Sequence, residues 1–157
     1  MRTPPSPGLA EFEAECRRRG LAVTVQRRTV FAELAGRKDH PTADQVYDAV
    51  RERLPGLSRT TVYRVLETLV DAGLARKVHH AGGVARFDPM TGRHHHLVCD
   101  ACGRLVDLDD AMVPPLRLPE AAGTGFRIKD YSVSFTGLCP GCAKKKTRTK
   151  TKTERGE

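Results

Sequence analysis

The sequence predicts an α+β chain: a helical N-terminal half closed by a β-hairpin, the pattern of a winged helix, then a strand-rich C-terminal half held by four cysteines. Three observations carry this. Apolar residues recur at helical spacing from about residue 10 to 73, two strand-like runs then flank Gly82-Gly83, and two Cys-x2-Cys pairs lie 36 residues apart in the C-terminal half of the 157 residues.

Phe12 and Cys16, four apart, mark one face of a first helix with Cys16 buried in it, and Val30, Phe31 and Leu34 mark a second. Thr42 is placed to cap a third helix, over which Ala43, Val46, Tyr47, Val50 and Leu54 keep helical spacing until Pro55-Gly56 stops it. Ser58 is placed to cap a fourth, SRTTVYRVLETLVDAG, in which Val62, Val65, Leu66, Leu69 and Val70 form one apolar stripe ending at Gly73. Arg59, Thr60, Thr61, Tyr63 and Arg64 lie largely off that stripe. They are the side-chain types that bond phosphates and base edges, and a recognition helix uses its N-terminal residues for this, so they are the candidate DNA contacts. The runs Leu74–His79 and Val84–Phe87 read as a hairpin, with His79 and His80 in the wing. The same periodicity also suits a generic helical domain with a solvated charged face.

Pro and Gly crowd the start, so residues 1–9 are expected to be disordered, with a DNA-binding domain over 10–87 and a hinge at 88–93, DPMTGR. Residues 94–143 read as strands around a short helix, and the Lys/Thr-rich 144–157 as a disordered basic tail. Residues 1–87 carry 15 Lys/Arg against 10 Asp/Glu, 88–143 carry 5 against 7, and 144–157 carry 7 against 2. A basic region beside an acidic one points to nucleic acid for the first and a cation for the second, solubility being the competing explanation. No apolar run approaches the length of a membrane span and the first residues hold no signal-peptide core, so a cytoplasmic location without membrane contact is expected.

Cys99, Cys102, Cys139 and Cys142 have the spacing of two zinc knuckles, and four thiolates leave a Zn²⁺ ion no open position, so that site would be structural. A disulfide or a redox-active pair is the alternative for the same spacing. His94, His95 and His96 stand consecutively; on a strand His94 and His96 share a face and His95 points away. With Asp88 before them and Asp107 expected on a neighbouring strand, they suit Fe²⁺, Mn²⁺, Zn²⁺ or Ni²⁺, or else form a surface histidine strip.

Five stretches, TVQRRTVFAEL, HPTADQVYDAV, SRTTVYRVLETLVDAGL, ARFDPMTGRHHHLVCDACGRLVDL and GFRIKDYSVSFTGLCPGCA, resemble in order the ferric uptake regulator (Fur) family of metal-dependent repressors over most of residues 20–143. The resemblance implies a winged helix joined to a C-terminal α/β dimerisation domain, a homodimer, and a palindromic duplex DNA operator. It implies structural zinc on Cys99, Cys102, Cys139 and Cys142, and a regulatory site of His40, Asp88, His94, His96 and Asp107 for Fe²⁺ or Mn²⁺. Asp at 107, where many iron-responsive members carry Glu, resembles the peroxide-sensing subgroup (PerR), which implies oxidation of His40 or His94 and release of metal and DNA. Iron- or manganese-level sensing is the alternative. Some members have a further site using a histidine of the last strand; that position is Tyr131 here. No small-molecule substrate and no enzyme activity are expected. A metal hydrolase would need a nucleophile or general base beside the site, and a zinc-ribbon interaction module would lack salt-dependent affinity for duplex DNA.

Overall fold

The computed structural model describes residues 8–79, 83–117 and 124–145. Most of the expected N-terminal disorder, the hairpin turn at His80–Gly82 and the tail from residue 146 lie outside them; Leu9, however, opens the first helix, and Lys144 and Lys145 lie in a helical segment over 140–145. The chain falls into two compact units that part between Gly92 and Arg93. No described helix is long and apolar enough to cross a membrane.

The first unit holds α1 (Leu9–Arg18), α2 (Val25–Ala35), α3 (Ala43–Val50), α4 (Arg59–Asp71) and an antiparallel pair, β1 (Arg76–Val78) with β2 (Arg86–Asp88). Side-chain caps start three of the helices, because the first backbone N–H groups of a helix have no partner within it. Thr24 accepts from the Arg27 N–H, Thr42 forms a capping box with Gln45, and the Ser58 hydroxyl accepts from the Thr61 N–H at 3.1 Å. The predicted stripes face inward: Phe12 stacks on Phe31 with ring centroids 4.0 Å apart, and Val30, Leu34, Val46, Val50, Val62, Leu66 and Leu69 are fully buried around them. The third helix stops at Val50, a turn earlier than the spacing predicts; one further helical bond, Leu54 N–H to Val50 O at 3.0 Å, carries the half-buried Leu54 onto the core. Gly73 adopts φ +64°, the left-handed conformation that ends a helix, directly after α4.

The second unit is a three-stranded sheet in the order β4-β3-β5, where β3 is His94–Cys99, β4 Leu105–Asp109 and β5 Ser134–Gly137. A single 3₁₀ turn, Asp110–Met112, follows β4. β4 runs antiparallel to β3, and β5 runs parallel to it. The Cys99–Cys102 knuckle forms the β3–β4 turn, in which Gly103, at φ +67°, donates its N–H to the Cys99 carbonyl. Val98 and Leu105, opposite one another, are buried. Leu97 is register partner to both Val106 and Phe135, and all three are exposed, so an apolar row crosses the sheet.

Candidate metal centres and the recognition helix

Two donor sets lie in the second unit. Each of Cys99, Cys102, Cys139 and Cys142 offers its sulfur within 4.8 Å of the others. Cys102 Sγ and Cys139 Sγ are 3.9 Å apart, close to the roughly 3.8 Å that a tetrahedral ion with Zn–S bonds of about 2.3 Å requires. The Cys139 N–H points at Cys99 Sγ at 3.3 Å, and this bond leads in holding the Cys99 thiol down at about 6. Hydrogen bonding, first to Cys139, pushes the Cys142 thiol up to about 12. A cation bound among the four sulfurs would displace thiol protons, since the thiolate is the metal ligand. All four are free cysteines.

The second set is on β3 and β4. His94 Nε2 and His96 Nε2 are 3.1 Å apart with rings edge to face, and Asp107 Oδ1 lies 3.7 Å from each. Strand alternation places the two imidazoles on one face, and the register sets Asp107 opposite His96. Three donor atoms at such separations suit one divalent ion with ligand bonds of about 2.0–2.2 Å. His95, on the other face, is a strut: its Nδ1 accepts from the Val133 N–H at 3.1 Å, and its Nε2 is 3.2 Å from Asp110, which Arg93 also holds. Tyr131 stacks on His95 beneath the Arg93 guanidinium. It precedes β5 and does not belong to the last strand as expected; aromatic and guanidinium groups fill that place.

The first unit holds two further candidate ligands. His40 Nε2 is 3.6 Å from Asp88 Oδ2. A β-bridge between Thr42 and Arg86, with the Phe87 N–H donating to the Pro41 carbonyl, brings these distant residues together. Asp88 ends β2 and is not a free hinge residue; its Oδ1 accepts from the Met90 N–H at 2.7 Å. His40 itself has φ +49°.

Of the candidate DNA contacts, Arg59, Thr60, Tyr63 and Arg64 are exposed on the first turns of α4. Thr61 is half-buried, its hydroxyl 2.8 Å from that of the Ser58 cap. Arg59 pairs with Asp44 of α3 and lies over the Tyr47 ring, 4.9 Å from its centroid. Sequence reasoning missed Asp44, which carries no signal of its own; the (i, i+3) spacing to Tyr47 on one helix face was the available clue.

A four-helix winged unit, a four-cysteine knuckle and convergent imidazole–carboxylate donors define a metal-responsive DNA-binding regulator. The ferric uptake regulator family profile matches residues 18–136. The chain is 36% identical over 136 residues to the transcriptional regulator FurA of Mycobacterium tuberculosis (strain H37Rv), covering 86% of this chain and 92% of that one. It is 32% identical over 126 residues to the peroxide operon regulator of Bacillus subtilis (strain 168), covering 80% and 87%. The ferric uptake regulator of Pseudomonas aeruginosa, solved with manganese, superposes with a TM-score of 0.63 at 28% identity, covering 82% and 97%. The chain belongs to the ferric uptake regulator family. It is a metal-dependent transcriptional repressor with a four-cysteine site and a His/Asp site, and not an enzyme.

Proposed function

We propose that this repressor is peroxide-responsive: a homodimer, it holds a palindromic operator while Fe²⁺ or Mn²⁺ occupies the regulatory ligands, and it releases DNA when peroxide oxidises the Fe²⁺ form. The observation that carries this is the carboxylate set. Both acidic candidate ligands, Asp88 and Asp107, are aspartates, the pattern of the peroxide-sensing subgroup. His94, His96 and Asp107 offer three ligands, and His40 with Asp88 two. Neither set alone fills the coordination of Fe²⁺ or Mn²⁺, and the family resemblance makes all five the ligands of one ion, a linkage that would couple the DNA-binding unit to the sheet.

In a two-fold dimer that linkage sets the spacing of the two α4 helices against operator half-sites, with Arg59, Thr60, Thr61, Tyr63 and Arg64 at the duplex. The metal then acts through its differential affinity for the DNA-competent shape. The exposed row of Val106, Leu97 and Phe135 is suited to burial against a second copy. The four cysteines would hold Zn²⁺ as a closed structural site. Bound Fe²⁺ supplies the redox chemistry. The chain's part would be to hold the His40 and His94 imidazoles as ligands, so that their oxidation by hydrogen peroxide would add one oxygen atom to a ring carbon while the other leaves as water.

Iron- or manganese-level sensing is the second reading, favoured by the greater identity to FurA than to the peroxide operon regulator. The two separate in one experiment: duplex binding by Fe²⁺-loaded protein, kept anaerobic, before and after stoichiometric peroxide, beside a Mn²⁺-loaded control. Peroxide sensing predicts loss of binding by the Fe²⁺ form alone, with about 16 Da gained on peptides holding His40 or His94. Survival of both forms makes the protein a metal-level sensor.

A further inference from the structure

Arg59 opens α4, one residue after the Ser58 cap, in the turn that a recognition helix directs at base edges. Its guanidinium is not a loose cation. Asp44, in the first turn of α3, takes one edge of it through Nη1, and the Tyr47 ring lies against its plane. Asp48, one helical turn beyond Asp44, adds a second negative charge nearby. Arg59 and Asp44 both remain about half exposed, with 54% and 45% of their side-chain surface accessible, so the pair sits at the surface where a duplex would approach.

A guanidinium so held differs from a free one in two ways. The carboxylate offsets its charge, which weakens its attraction to phosphate, a contact with a large Coulombic share. The directional donors on the other edge, Nε and Nη2, are left to form hydrogen bonds, and clamping on two sides fixes where they point. Neutral acceptors arranged in a pair, such as O6 and N7 of guanine in the major groove, reward that arrangement. Phosphate does not. We propose that Asp44 is a positioning residue that, with Tyr47, makes Arg59 a reader of guanine and not a phosphate clamp. The proposal rests on α4 being the recognition helix.

The test uses full-length Mn²⁺-loaded protein and duplex sites selected from a random-sequence pool by the wild type. Affinity is measured against salt for the selected duplex, for its single-base variants and for random duplex. For Arg59→Ala we expect about ten-fold or greater loss on the selected site, loss of preference for guanine at one position per half-site, and an unchanged salt slope. Arg59→Lys, which keeps the charge but not the fork, should lose the same preference. Asp44→Asn should reduce that preference, tighten binding to random duplex and steepen the slope of log K against log salt by about 0.9, because Arg59 now engages phosphate. In the Arg59→Ala background Asp44→Asn should no longer change base preference. The proposal is overturned if Arg59→Ala weakens all duplexes equally and flattens the slope by about 0.9, or if Asp44→Asn leaves the guanine preference intact. Wild-type protein that shows no salt-dependent duplex binding at all would instead overturn the assignment of α4 on which the proposal rests.

Discussion

The two units of this chain are stabilised by different physics. The first buries a continuous aliphatic and aromatic cluster, from Phe12 and Phe31 to Leu66, Leu69 and Phe87. In the second, the buried apolar side chains among the described residues are Val98, Cys99, Leu105 and Val113, while His94, His95 and His96 are buried beside them. Its sheet also leaves Leu97, Val106 and Phe135 exposed. A unit with so little apolar burial needs a metal or a second copy to offset chain entropy. The helical unit is held by close apolar packing, and the sheet that carries the imidazole and thiol donors has little of it.

The strongest way to break this contrast is to strip the zinc proposed for the four-cysteine site. Chelation of the four-cysteine site should collapse the dispersed amide signals of β3, β4 and β5 while those of α1–α4 persist. Retained β3–β5 dispersion in metal-stripped protein would mean that the sheet stands on its own packing. Next in size, Leu66→Ala should destabilise the helical unit by about 2–5 kcal/mol in urea unfolding, because Leu66 is fully buried and its loss leaves a cavity. Zinc content, read by a colorimetric thiol-displacement assay, should stay at one ion per chain. The smallest expected effect sharpens the contrast further. Ser58→Ala removes the α4 cap and should cost about 1 kcal/mol of the helical unit's stability, with zinc retention again unmoved.

Much of this was legible from the sequence, for reasons tied to particular residues. Helices α3 and α4 announce themselves through Thr42 and Ser58 and through apolar stripes of period 3.6, which are local signals. The cysteine spacing is local in the same sense. Strand alternation separated His94 and His96 from His95. What stayed hidden depends on long-range pairing. The parallel docking of β5 on β3, the Val133 bond to His95 and the Pro41 bond to Phe87 each join segments some forty residues apart, and no periodicity encodes them. Asp44 was missed for the same cause, since its partner lies on another helix. Tyr131 was expected in the last strand and precedes it, because strand boundaries follow pairing partners more than composition.

The left-handed backbone at His40 constrains how this regulator can be altered. An L-residue with a Cβ sits in that conformation at a cost of about 1–2 kcal/mol, and asparagine, aspartate and glycine are the residues that visit it routinely. The position therefore has a narrow mutational repertoire quite apart from any ion. An alanine there would remove the imidazole together with the contacts that help hold a Cβ-bearing residue in this backbone, so that a silent repressor could owe its silence to either cause. Asparagine fits the same backbone, which makes His40→Asn the substitution that speaks about the ligand alone. A drifting lineage that loses metal response at this position meets the least backbone resistance by way of asparagine, aspartate or glycine.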